Sequence, residues 1–442
     1  MISEFTVAAV SLGCDKNRVD TENMLYRLIA GGYRLTNDYK AADAIIVNTC
    51  AFIESARTEA IDTILEMADY KRIGQCKKLV VTGCLPQKYA AEIREELPEV
   101  DAFLGIRDYD GIAGVLKKLL EDGGRVLRTV GADNADNEKR ILTTPPHYAY
   151  LRVADGCNNR CAYCTIPSIR GAYQSRSIES LVSEAEGLAD SGVKELILVA
   201  QDVTRYGIDC YKEYKLTELL RRLSKTAIEK LRLMYCYPEL VTDELIHEVT
   251  VNEKIARYID IPFQHADDRI LKLMNRRSTG DTLRRLMDKL RAQTTHIAVR
   301  TTFMVGFPSE TDAEFNNLCD FVKDYRPDHV GVFAYSKEDD TPSAKLKPQI
   351  SAEVKRNRVK ILGELHLQNC RVQNAKAVGK TVKAVYEGID YERGLFIGRT
   401  EYNAPDIDTV IYFTGDFADI GKTYDVKITG YEDYDLLGEM IK

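Results

Sequence analysis

Along the first 125 residues, short apolar runs alternate with stretches whose apolar residues recur at helical spacing. The runs are Phe5 to Val10, Ala44 to Val47, Leu79 to Val81 and Ala102 to Leu104. Between and after them lie amphipathic stretches around Val19 to Ala30, Arg57 to Ala68, Lys88 to Leu97 and Ile112 to Leu120. Strand alternating with helix predicts an open parallel α/β domain over residues 1–125, its sheet covered by helices on both faces. The period then fails. Asp, Asn and the pair Pro145-Pro146 gather in TVGADNADNEKRILTTPPH, so 126–147 reads as an exposed linker.

A second αβ series follows over 148–372, with strands expected at Tyr148 to Val153, Glu195 to Ala200, Leu231 to Cys236, Tyr258 to Ile261, Ala298 to Val305 and His329 to Ala334. The helix opening at Thr311, with Glu314 three residues on, has a capping-box start. Six βα units predict a partial (βα)6, TIM-like barrel, whose chemistry belongs at the carboxyl ends of the strands. From 373 to 442, Thr, Val, Tyr and Ile runs alternate with turns at Gly388, Gly394, Gly415 and Gly430, which predicts a small antiparallel β-barrel of five strands.

Composition narrows the function classes. The 442 residues are 45% hydrophobic and 29% charged, enough to bury cores and stay soluble, and no apolar run approaches the roughly 18 residues of a membrane helix. The amino end lacks the pattern of a signal peptide, so a cytoplasmic protein is expected. Net charge is -7, and the β module alone carries eight Lys plus Arg against thirteen Asp plus Glu, a net of -5. That balance weighs against a nucleic-acid partner and suits a basic protein.

Eleven cysteines in a reducing compartment point to metal or catalytic uses rather than disulfides. Cys157, Cys161 and Cys164 form a CxxxCxxC run in a polar loop directly after the first barrel strand. Three thiolates are ligands for an iron-sulfur cluster with one iron left open, whereas zinc would want a fourth ligand that is not nearby. Cys14, Cys50 and Cys84 each close an apolar run, at spacings of 36 and 34 residues. One βα repeat separates each from the next, so all three should emerge at the carboxyl edge of a parallel sheet and make a second three-cysteine site. Cys76, Cys210, Cys236, Cys319 and Cys370 have no ligand spacing and read as structural.

The CxxxCxφC run, with Tyr163 at the aromatic position, resembles the radical S-adenosylmethionine (SAM) superfamily. Two triads in this order, Ser11-Leu12-Gly13-Cys14 with Lys16-Asn17 and Asp20-Thr21-Glu22, Asn48-Thr49-Cys50, Asp260 to His265, and Arg300-Thr301-Thr302 running into Gly306-Phe307-Pro308 resemble the methylthiotransferases over essentially the whole chain. Its terminal barrel is similar to a TRAM domain. The resemblance implies two 4Fe-4S clusters and SAM as both radical source and methyl donor. The implied reaction replaces a C–H hydrogen by a methylthio group, with an electron carrier such as flavodoxin or ferredoxin as partner. Gly398 to Asp408 resembles the protein-modifying branch, with Asn403, Asp406 and Thr409 departing from its Asp-Ala-Pro-Glu-Ile-Asp-Gly run. This implies an aspartate β-carbon of the twelfth small-subunit ribosomal protein as the target. A tRNA adenosine methylthiotransferase and an iron-sulfur electron-transfer protein stay open as alternatives.

Special residues end the barrel strands at Gln201-Asp202, Tyr237-Pro238, Gln264-His265, Gly306-Phe307-Pro308 and Tyr335-Ser336. Position puts them around the mouth of the barrel. The amides of Gln201 and Gln264 are expected to meet the cofactor, with Tyr163 beside it and Arg300 on a cofactor carboxylate. His265 reads as structural. Asp406, Asp408, Asp416 and Asp419 are expected to form an acidic docking surface.

Overall fold

Six strands make the sheet of the amino-terminal domain: β1 (Thr6–Ser11), β2 (Arg34–Leu35), β3 (Ala44–Thr49), β4 (Lys78–Gly83), β5 (Ala102–Leu104) and β6 (Val126–Arg128). Their order is β2-β1-β3-β4-β5-β6, and every pairing is parallel. The crossovers carry α1 (Asp15–Ala30), α2 (Glu54–Ile73), α3 (Cys84–Glu96) and α4 (Ile112–Glu121). One core holds Ile45, Val47, Leu79 and Val81 with Ala60 and Ile64 of α2; the other holds Ala44, Ile46 and Val80 with Leu28 of α1 and Leu116 of α4. Successive residues of β3 thus feed opposite cores. That is why this strand is apolar throughout. The chain doubles back at β1, and β3 lies beside it, so the sheet has its topological switch point between the two.

The computed structural model describes residues 5–129 and 139–441. Its first compact unit comprises Met1–Thr143, Tyr150–Arg160 and Cys164–Glu184; the second comprises Thr144–Ala149, Cys161–Tyr163 and Ala185–Lys442. Of the stretch expected to be linker, Val126–Arg128 instead forms the edge strand β6, and residues 130–138 lie outside the described residues.

Six further strands follow: β7 (Tyr148–Arg152), then, past the two-residue pair β8 (Ala154–Asp155) and β9 (Gln174–Ser175), β10 (Glu195–Val199), β11 (Lys230–Leu233), β12 (Ile255–Asp260), β13 (Ala298–Val305) and β14 (His329–Ala334). The sheet order β7-β10-β11-β12-β13-β14 follows the sequence, and the pairings from β10 to β14 are parallel. This is the expected partial barrel. Its helices are α5 (Ile166–Arg170), α6 (Ile178–Asp190), α7 (Leu216–Leu223), α8 (Asp243–Val251), α9 (Asp268–Leu273), α10 (Gly280–Arg291) and α11 (Asp312–Tyr325). The capping box at the start of α11 is present: Thr311 Oγ1 accepts from the Glu314 amide, and Glu314 Oε2 accepts from the Thr311 amide at 2.7 Å.

Helix α12 (Ala352–Ala377) runs through the boundary expected at 372/373, so the β module begins at Thr381. Strands β15 (Thr381–Asp390), β16 (Leu395–Thr400), β17 (Ile411–Thr414), β18 (Thr423–Glu432) and β19 (Asp435–Met440) close into a barrel in the order β15-β16-β17-β19-β18. Four pairings are antiparallel, and β17 with β19 is parallel. No helix among the described residues is long and apolar enough to cross a membrane.

Candidate functional site

In the first unit, Cys50 and Cys84 directly follow β3 and β4, and Cys14 comes three residues after β1; the three strands are adjacent, so the cysteines share one carboxyl edge. The approach is close: a Cβ on Gly13, which has φ +87°, would stand 2.6 Å from Cys50 Cβ and 3.1 Å from its sulfur. Burial pushes the Cys84 thiol up to about 12 and raises that of Cys50. Asn17 sits beneath them. Its Nδ2 donates to the Leu12 and Thr49 carbonyls at 3.0 Å, tying the ends of two strands together, and its Oδ1 lies 3.8 Å from Cys84 Sγ.

Arg170, at the end of α5, reaches into the same place. One Nη donates to Asn17 Oδ1 at 2.7 Å and Asp20 at 3.0 Å; the other meets both oxygens of Asp155 at 3.1 Å. Two carboxylates and the neighbouring thiols hold its pKa well above the ordinary value despite complete burial. The Asp20-Thr21-Glu22 segment is thereby explained. Asp20 pairs with Arg152 and Arg170, Thr21 donates to Ser11 Oγ at 2.9 Å, and Glu22 binds Arg140 at 2.9 Å.

The same unit holds the ends of the CxxxCxxC loop. The Cys157 amide donates to the Gly171 carbonyl at 3.1 Å, and Asn158 accepts from the Tyr173 amide at 3.2 Å. Gly156, at φ +76°, allows this turn because a Cβ there would stand 2.1 Å from the Ala172 carbonyl oxygen. Cys157 is buried and Cys164 half-buried.

The second unit holds the loop's middle. Ala162 donates through its amide to Met274 and accepts at its carbonyl from Ser343, both at 2.9 Å. Cys161 Sγ lies 2.7 Å from the Tyr237 hydroxyl, and the Arg276 guanidinium stacks on the Tyr237 ring at 3.8 Å. Tyr163 packs against Met274, Phe307 and Tyr335. Gln201 follows β10 and is half-buried. Gln264, also half-buried, has φ +70° and bridges to Phe303 of β13. His265, read as structural, is fully buried; it accepts from the Asp267 amide and lies 3.5 Å from Glu310, which in turn binds Arg358 and the Gly306 and Phe307 amides.

The Arg300 guanidinium, expected on a cofactor carboxylate, is engaged by Asp260 at 3.1 Å and by Asp408 at 3.3 Å. Asp408 in turn leaves the expected docking surface. Its side chain is 1% exposed and accepts from Tyr258 and from the Ala404 amide at 2.8 Å. A companion cluster joins Glu195 to Arg232 and Arg399, each at 2.7 Å, and Arg399 to Glu387 at 2.9 Å. Residues 398–408 are therefore the segment by which the β module is bound to β10, β11, β12, β13 and β14. The sequence placed Tyr237 at the mouth of the barrel but offered little sign of Arg170 and Arg276, since an arginine outside a motif has many uses.

Among the described residues no group of His, Cys, Asp and Glu side chains is placed to hold a single metal ion. Thiolates on different corners of a cuboidal cluster bind different irons and stand further apart than ligands of one ion.

Residues 151–322 match the Radical SAM superfamily, residues 378–441 the TRAM domain, and residues 6–105 the uncharacterized protein family UPF0004. In fold the chain is similar to the radical S-adenosylmethionine methyltransferase TsrM from Kitasatospora setae, with TM-score 0.58, 14% identity, and coverage of 77% of this chain and 76% of that one. It is also similar to the cobalamin-dependent S-adenosylmethionine radical enzyme OxsB, with TM-score 0.51, 12% identity, and coverage of 83% and 56%. Barrel and cysteine loop together define a radical SAM enzyme. Within that class the chain is 47% identical to the ribosomal protein uS12 methylthiotransferase RimO of Acetivibrio thermocellus, over 98% of each chain. It is 44% identical to the RimO of Clostridium tetani, over 99% of this chain and 98% of that one. The chain belongs to the uS12 methylthiotransferase RimO family.

Proposed function

We propose that this protein places a methylthio group on the β-carbon of an aspartate of ribosomal protein uS12, acting in the cytoplasm. The observation that carries this reading is the 47% identity to a RimO relative over 98% of both chains. Cys157, Cys161 and Cys164 hold one 4Fe-4S cluster, leaving an iron open for SAM, and Cys14, Cys50 and Cys84 hold a second. When bound, cluster and SAM supply a carbon radical able to take hydrogen from an unactivated C–H bond.

The residues fit these groups. Cys50 and Cys84 are buried thiols raised well above neutrality by desolvation, which is the state that metal binding would convert to thiolate. Asn17 ties together the strand ends that carry Cys14 and Cys50. At the loop, Cys161 has the Tyr237 hydroxyl at 2.7 Å, a group able to donate to a ligating sulfur. Gln201 and Gln264, at strand ends, present amides for SAM, and Tyr163 closes the apolar side. A one-electron carrier such as flavodoxin or ferredoxin provides the reductant.

The test is anaerobic incubation of the reconstituted enzyme with SAM, dithionite and sulfide, offering purified uS12 and unmodified tRNA in parallel. Methylthio product on uS12 alone is expected. Product on tRNA alone would favour the adenosine-modifying reading, and SAM left uncleaved would favour a simple electron carrier.

A further inference from the structure

Tyr237 and Arg276 are not accounted for by the reaction as described. Arg276 is buried and Tyr237 half-buried, and both converge on Cys161. The Tyr237 hydroxyl is 2.7 Å from Cys161 Sγ, while Arg276 Cζ lies over the phenol ring, 3.8 Å from its centroid, and one Nη is 4.0 Å from the same sulfur. Neither group is loosely held. The Tyr237 amide donates to Thr204 Oγ1 at 3.0 Å, and Thr204 donates to Asp202 at 2.5 Å. Arg276 donates to the Pro262 carbonyl at 2.7 Å. A thiolate bound to iron has no proton, so in the loaded protein the hydroxyl must be the donor. A cation stacked on the ring withdraws electron density from the phenol and strengthens that donor.

We propose that Tyr237, backed by Arg276, is a positioning residue that hydrogen-bonds the Cys161 thiolate and sets the potential of the radical-SAM cluster. The proposal rests on the reading of Cys161 as a cluster ligand. Hydrogen bonds to cluster sulfurs are one of the few levers a protein has on such a potential. The donor stabilises the extra negative charge of the reduced cluster, so its presence makes the one-electron reduction easier. Dithionite supplies that electron in the experiment, and no bond to sulfur is made or broken.

The test uses the full-length reconstituted enzyme, poised at a series of potentials. The reduced cluster is followed by the electron paramagnetic resonance signal that changes on addition of SAM, which separates it from a second cluster. In Y237F the ratio of reduced to oxidised cluster at a given potential should fall by about tenfold, a shift of about 59 mV to more negative potential for a one-electron couple. Iron content should stay unchanged. Replacing Tyr237 by 3,5-difluorotyrosine, a stronger donor of nearly the same shape, should shift the potential the other way. An unchanged potential in Y237F with iron retained would overturn the proposal, as would Phe and difluorotyrosine shifting the potential in the same direction. If Y237F loses iron, the sign of the difluorotyrosine shift decides. C161A addresses the underlying reading separately: a SAM-responsive signal that survives there would show that Cys161 is not a ligand, whatever Tyr237 does.

Discussion

Replacing Glu195 by Gln tests the anchoring of the β module most sharply, because it removes one charge and almost no volume. Glu195 is the shared carboxylate between Arg232 and Arg399, 2.7 Å from each. Burial alone would raise its pKa, but the two guanidinium groups outweigh burial and hold it at about 2, against 4.5 for a free carboxyl. At about 1.4 kcal/mol per pKa unit, that depression corresponds to about 3 kcal/mol of stabilisation, in line with the usual cost of breaking a buried ion pair. The sign follows from linkage. The folded-state pKa is depressed, so the contribution is complete above the unfolded value near 4.5 and is lost as pH falls from there toward 2. The assay is amide exchange of Tyr402, Asn403 and Ala404, which are bonded to Thr400 and Asp408 within the anchoring segment. At neutral pH, E195Q should reduce their protection by about a hundredfold, the equivalent of about 3 kcal/mol at 1.4 kcal/mol per decade. The difference from wild type should narrow at about pH 3, where the wild-type carboxyl begins to protonate. Protection unchanged at neutral pH would refute the claim that this carboxylate holds the module.

Replacing Cys157, Cys161 and Cys164 by Ala should leave about half the iron of the reconstituted protein and abolish 5'-deoxyadenosine formation, measured by chromatography. Replacing Cys14, Cys50 and Cys84 should preserve 5'-deoxyadenosine formation and stop methylthio transfer; methylthio product from that variant would mean the triad is structural. G13A should lower iron content and leave the barrel intact by circular dichroism, since its new Cβ would stand 2.6 Å from Cys50 Cβ in a backbone with φ +87°. D416K with D419K should slow modification of uS12 at low salt and have little effect at high salt, read as initial rates, if the exposed acidic face steers a basic protein.

Removing residues 373–442 is not a clean test of docking. The cut falls inside α12 and takes away Arg399 and Asp408, leaving Glu195 with Arg232 alone and Arg300 with Asp260 alone. The acidic composition of this module was legible, but its use was not. Asp408 is part of an internal ion-pair cluster, and only the charges away from the anchor remain for a partner.

What the sequence revealed tracks how local each signal is. Ala298–Val305 and His329–Ala334 appear at the expected residues because both runs are bounded by polar or turn residues, and the box at Thr311 and Glu314 is a contact between near neighbours. The amino-terminal cysteines could be placed because strand, cysteine and helix recur three times, and parallel strands carry equivalent residues to one edge. The two-residue β2 and three-residue β6 are too short to show a period of two. Nothing in the local pattern distinguishes the parallel β17–β19 pairing from an antiparallel one. The buried ion pairs were the least legible. Arg170 and Asp20 are 150 residues apart, and Arg399 and Glu195 are 204 apart. Each carries the signature of an ordinary surface charge until the fold brings its partner. The pairing of Arg300 with Asp260 and Asp408 was hidden for the same reason.

The most direct measurement is the intact mass of uS12 isolated from cells that have this gene and from cells that lack it. The account predicts a methylthio increment on one aspartate in the first and its absence in the second, restored by the wild-type gene and not by one encoding the Cys157, Cys161 and Cys164 replacements. An identical uS12 mass in both strains, with the gene expressed, would contradict it.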